Sequence, residues 1–148
     1  MNIRKILEQD IGVIYQSGIS EINFQIGVDS SSFWAKDVLQ RWIKSESDVT
    51  SLAEQENSMI GFILANYHIP TRKAVVENLW VDPKHRNKGI GFQLMHECLE
   101  QLLQKGAQFV CAFTKDDAVI SFLEKNDFEK GQYFAWMNYE NRHTSEHQ

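Results

Sequence analysis

The chain has 148 residues, 43% of them hydrophobic, which suits one domain with a core of its own, read as residues 1–140 with a polar tail over 141–148. Its formal net charge of −5, spread without a long block of like charge, argues against a nucleic-acid surface and favours neutral or cationic small partners. No stretch approaches the roughly 18 apolar residues of a membrane span and the charged start "MNIRKILEQD" lacks a leader's apolar core, so a cytoplasmic protein with no membrane partner is expected.

In chain order, "NIRKI" alternates enough for an opening strand, and "LEQDIGVIYQSGISEINF" repeats Ile11, Ile14, Tyr15, Ile19 and Ile22 at helical spacing. "SSSFWAKDVLQRWIKSES" opens on serines able to cap a second helix, with Phe33, Trp34, Val38, Leu39 and Trp42 on one broad face. "DVTSLAEQENSMIGFILANYHI" reads as two strands joined at the polar tip "EQEN", a hairpin. After Pro70 and "TRK" comes a third compact strand, "AVVENLWV", which Asp82 and Pro83 terminate. Leu94, Met95, Cys98, Leu99, Leu102 and Leu103 then mark a long amphipathic helix ending at Gly106. "FVCAF" reads as a buried strand, "DDAVISFLEKND" as a shorter helix with an acidic first turn, and "YFAWMNY" as a last strand. This order predicts a mixed central sheet with helices on both faces.

The informative stretch is "KHRNKGIG", between the strand that stops at "DP" and the long helix. The unpaired N–H groups of the helix's first turn, with the helix dipole, favour an anion there. Gly89 and Gly91 clear room for a phosphate, Gly89 can take positive φ, and Lys84, Arg86 and Lys88 add cations. The glycines do not fit a Walker loop, because Ile90 and Phe92 follow them. Nor do they fit the dinucleotide fingerprint, whose third glycine would be Leu94.

Arg86, Asn87, Lys88, Gly89, Ile90, Gly91, set between "LWVDP" and the long helix and followed by "AVISFLEKNDF", resembles the central motif of the GNAT superfamily of N-acetyltransferases. The likeness is strong over residues 74–130 and weaker, through element order, elsewhere. It implies an α/β (α+β) fold with a mixed, mostly antiparallel central sheet. It also implies acetyl-CoA as co-substrate, no metal, and a primary amine of a small molecule or peptide as acceptor, with a homodimer possible. By position, the amides of Asn87 through Phe92 (Asn87, Lys88, Gly89, Ile90, Gly91, Phe92) and Arg86 would hold the pyrophosphate. Leu79, Trp80 and Val81, on a strand that splays from its neighbour at a bulge, would pair with the pantetheine arm.

Acetyl transfer to an amine needs a neutral nucleophile, a polarised thioester and a proton for the departing thiolate. Glu77, inside a run of Val, Asn, Leu and Trp and on the face of Leu79 if no bulge intervenes, is the candidate base; other family members place it where Cys111 stands. The family's usual Tyr is replaced by Leu123 and its usual Gly by Asp127. Tyr133, Tyr139 or Tyr15 could supply the missing acid, with Tyr133 the first candidate. Asp116 falls where many members have an Asn that bonds the cofactor, and equally fits a helix N-cap. Trp34, Trp42, Tyr15 and Phe24 lie in the region that shapes the family's acceptor pocket. Cys98 belongs to the core, and His85, His143 and His147 lack metal-ligand spacing. The expectation is an acetyl-CoA-dependent N-acetyltransferase working by direct transfer, the alternative a non-catalytic acyl-CoA-binding or interaction domain.

Overall fold

The computed structural model describes residues 1–24, 33–132, 135, 137 and 139. Among the described residues, one sheet of five strands runs in the order β1 (Asn2–Lys5), β2 (Val49–Gln55), β3 (Ser58–His68), β4 (Lys73–Val81), β5 (Phe109–Cys111). The first four are antiparallel and β5 joins β4 in parallel, so the sheet is mixed and mostly antiparallel, as expected. The expected last strand over 133–139 falls mostly outside the described residues, as does the tail.

Helices α1 (Ile11–Ser20) and α2 (Lys36–Trp42) cover one face of the sheet, and α3 (Ile90–Gln104) with α4 (Asp117–Lys125) the other. Alternation along β3 sorts the two cores: Phe62 and Leu64 join Ile14, Phe33, Leu39 and Trp42, while Ile63 and Ala65 join Leu94, Met95, Cys98 and Leu102. Each fully buried Leu or Ile of these layers contributes about 1.5 to 3 kcal/mol by leaving water.

The β2–β3 hairpin turns on two residues, Glu56 (φ 52°) and Asn57 (φ 63°), the left-handed pair that matches strand twist. On α3 the apolar stripe is narrower than its sequence: Leu103 is exposed, and Gly106 at φ 106° follows the helix end. Ile19 and Ile22 are exposed as well, because the buried face of α1 stops at Gly18, where a Cβ would stand 2.2 Å from the Phe33 ring. The serines expected to cap α2 include Ser30, Ser31 and Ser32, outside the described residues. The helix begins at Lys36 behind Ala35, with no side-chain cap. Strand β5 is shorter and less buried than "FVCAF" suggested, with Phe109 exposed and Cys111 half-buried. Among the described residues it has a partner on one side only, over three residues of pairing.

Candidate active site

Strand β4 carries the site. Leu64 pairs with Asn78 and Ala65 with Val76, which leaves Glu77 as an extra residue, a bulge. The bulge resets the alternation: Val76 faces the α3 core, yet Asn78 and Trp80 face the α1/α2 layer, and Leu79 and Val81 return to the α3 side. Glu77 therefore does not share a face with Leu79, and it is exposed rather than enclosed. Asn66 Nδ2 donates to Glu77 Oε1 at 2.9 Å, and Trp34 Nε1 donates to Asn78 Oδ1 at 2.6 Å, so both polar side chains are held on the α1/α2 face.

Pairing of β4 with β5 covers Lys73 to Val75 only; beyond that point no strand of the described residues lies along the β4 edge. The Asp82 amide donates to Ile60 O at 2.9 Å across the β3–β4 ladder. By antiparallel alternation, Leu79 and Val81 then turn their main-chain N–H and C=O toward the open edge, while those of Trp80 face Phe62. The Val81 carbonyl at that edge accepts from Arg86 Nε at 2.8 Å. Trp80 contributes its ring instead, stacked on Phe62 with centroids 5.7 Å apart.

Past Val81, the Asp82 carboxylate accepts from the Lys84 amide at 3.2 Å and from His85 Nδ1 at 3.0 Å, shaping the turn Pro83–His85. These hydrogen bonds, the Lys84 amide first, hold the Asp82 carboxyl below the usual carboxylate range. Asn87 (φ 62°) and Gly89 (φ 81°) then adopt left-handed conformations before α3. The first helical bond runs from Gln93 N to Gly89 O, so the amides of Ile90, Gly91 and Phe92 have no partner within the helix. Among the described residues none accepts from Asn87, Lys88 or Gly89 either. Successive unpartnered amides in such conformations form a concavity suited to an anion.

A Cβ on Gly89 would meet nothing within 4 Å, so the space beside the loop is open. One on Gly91 would meet Phe122 and Val81 at 3.6 Å, so that glycine faces packed side chains rather than the concavity. Arg86 is exposed but engaged, its Nε donating to Val81 O at 2.8 Å and its guanidinium pairing with Glu21 at 3.2 Å. Lys84 and Lys88 make no ion pair among the described residues.

Asp116 is the N-cap of α4, its Oδ1 accepting from Ala118 N at 2.8 Å and Val119 N at 3.3 Å. Leu123 is packed in the α3-side core. Asp127 takes φ 67°, and Phe128 N returns to Leu123 O at 3.0 Å, so an aspartate makes the left-handed helix stop here. Tyr133 lies outside the described residues. Burial pushes the Cys98 thiol up to about 12, which makes it inert. Among the described residues, no group of three His, Cys, Asp or Glu side chains could hold a metal ion, and no helix is long and apolar enough to cross a membrane.

On the α1/α2 face, Phe24 stacks on Phe33 and Trp34 meets Trp42 edge-on. A shallow cleft of about 340 Å³ opens beside Trp80, between Gln16, Ser17, Ser20, Glu21 and Pro83. Sequence reasoning passed over Asn66, Asn78 and Glu21. The first two had a signal, a polar residue inside an apolar strand; Glu21 had none.

Among the described residues, a bulged strand open along one edge leads into an amide-lined loop at a helix N-terminus. The profile of the acetyltransferase (GNAT) family matches residues 19–128, and the chain belongs to that family. No protein of curated function matches the sequence. Similar folds include an aminoglycoside acetyltransferase from an uncultured soil metagenomic sample, solved with sisomicin (TM-score 0.73, 19% identity, covering 94% of this chain and 95% of that one). Another is the ribosomal-protein-S18-alanine N-acetyltransferase of Escherichia coli (0.67, 17%, 88% and 79%). A third is Rv2747 of Mycobacterium tuberculosis, solved with CoA (0.72, 15%, 89% and 74%).

Proposed function

We propose that this protein transfers the acetyl group of acetyl-CoA directly to a primary amine of a small molecule or peptide. The observation that carries the reading is the open β4 edge at the Glu77 bulge, continuous with the unpartnered amides of Asn87 to Phe92. Those amides suit the pyrophosphate, and the edge N–H and C=O of Leu79 with the N–H of Val81 suit the amide-bearing pantetheine arm. Bound acetyl-CoA supplies a thioester whose C–S bond breaks as the amine nitrogen takes the acetyl group. In this reading Glu77 Oε2, with no partner among the described residues, takes the proton the amine gives up, while Asn66 holds Oε1. With Leu123 where a tyrosine would stand, water or Tyr133 returns a proton to the thiolate.

The net charge of −5 and the Trp80 and Glu21 cleft favour a cationic acceptor by steering and by π-face contact. The deciding experiment follows free-thiol release from acetyl-CoA with sisomicin, spermidine and a peptide bearing a free N-terminus. Amine-dependent release supports the enzyme. CoA binding with no release for any amine would favour the non-catalytic acyl-CoA-binding domain, toward which the buried Leu123 points.

A further inference from the structure

Arg86 stands where a cation for the pyrophosphate is expected, yet two of its three guanidinium nitrogens are committed to other partners. Nε donates to Val81 O at 2.8 Å and an Nη to Glu21 Oε2 at 3.2 Å. Glu21 ends α1, its own amide bonding Gly18 O, and its Oε1 accepts from Asn23 N at 3.4 Å and Asn23 Nδ2 at 3.2 Å. The Glu21 side chain is only 17% exposed against 46% for Arg86, so the anchor sits inside and the cation reaches to it. The contact joins the end of α1, the last residue of β4 and the entry to the loop, across 65 residues of sequence.

Among the described residues, no hydrogen bond ties the loop down between Arg86 and the first helical bond at Gly89. Two left-handed residues in that span leave its amides free to be aimed in several directions. Fixing Arg86 fixes where the span begins, and a preformed loop binds its ligand without first being ordered.

We propose that Glu21 is a positioning residue for the cofactor loop: it holds Arg86 in its bridge to the Val81 carbonyl and so aims the loop amides. Arg86 then acts through the loop it anchors rather than as a ligand of the phosphates. The inference rests on the reading that this loop binds the CoA pyrophosphate. It makes a prediction of unusual sign. By charge alone, removing the Glu21 carboxylate should tighten binding of an anion; by positioning, it should weaken it.

Titration calorimetry of CoA with the full chain tests this. Glu21→Gln and Arg86→Gln are each expected to weaken CoA by about tenfold, and the double variant by no more than either alone, because both remove one shared contact. Arg86→Lys, which keeps the charge but loses the forked geometry, is expected to weaken CoA as Arg86→Gln does. A single half-exposed pair contributes at most about 1 kcal/mol, so thermal unfolding midpoints should shift by no more than a few degrees. Wild-type or tighter affinity in Glu21→Gln overturns the proposal, as do additive losses in the double variant or full affinity in Arg86→Lys. If the wild type binds no CoA, the loop assignment fails, and the positioning role fails with it; the wild-type titration by itself identifies that outcome.

Discussion

Asn66 donates from Nδ2 to Glu77 Oε1 at 2.9 Å, tying a β3 side chain to the one residue of β4 that has no partner in the ladder. The bond occupies one carboxylate oxygen and fixes the direction of the other. Glu77→Gln is expected to lower amine acetylation by roughly 10²- to 10⁴-fold at neutral pH, the span for losing a general base. Asn66→Ala should lower it less, with acetyl-CoA affinity unchanged in both. Thiol-release rates across pH check this; an acidic limb that survives in Glu77→Gln assigns the limb to another group and removes Glu77 as the base.

Gly89 and Gly91 should respond differently to the same methyl group. Gly89→Ala places a Cβ at φ 81°, at a cost of about 1 to 2 kcal/mol, and points it into the open space beside the loop, so CoA affinity should fall steeply. Gly91→Ala meets Phe122 and Val81 at ordinary contact distance and should leave both stability and affinity near wild type. Calorimetric titration with CoA, beside a denaturation curve for each variant, separates the two.

Leu123 is 9% exposed inside the α3-side core, so a tyrosine there has to push its neighbours aside. Leu123→Tyr is expected to cost about 1 to 3 kcal/mol by overpacking while CoA still binds. Urea denaturation measures the cost. A gain in amine acetylation would show that thiolate protonation limits the reaction proposed for this protein.

Arg4 grips Asp10 through two hydrogen bonds of 2.8 and 2.9 Å, where the chain enters α1. The guanidinium, with the Leu7 amide assisting against desolvation, holds the Asp10 carboxyl below its usual range. A lowered folded-state value means the stabilisation is complete above the unfolded value, about 3.9, and drains away as pH falls below it through the folded value. Asp10→Asn should therefore cost about 1 to 2 kcal/mol at pH 7 and progressively less below about pH 4. Urea midpoints at pH 7 and at pH 3 test the sign.

Local chemistry made much of this protein legible from its residues. The stripe Leu94, Met95, Cys98, Leu102 announces α3, "DP" closes β4, and the glycine-bearing stretch after it announces a turn with a left-handed residue ahead of the helix, because periodicity, proline and φ freedom act within a few residues. The same spacing placed Leu103 and Ile19 on apolar stripes, although neither meets a facing layer. Whether Glu77 shares a face with Leu79 was decided by the register of β4 against β3, since one extra residue reverses every side chain beyond it. The partner of Arg86 was decided by where α1 ends, 65 residues earlier, and no spacing within the motif carries that information. Elements and loop follow from short-range backbone preferences, whereas the bulge, the open edge and the Arg86–Glu21 contact exist only once distant segments have packed, because each depends on a partner the local chain does not contain.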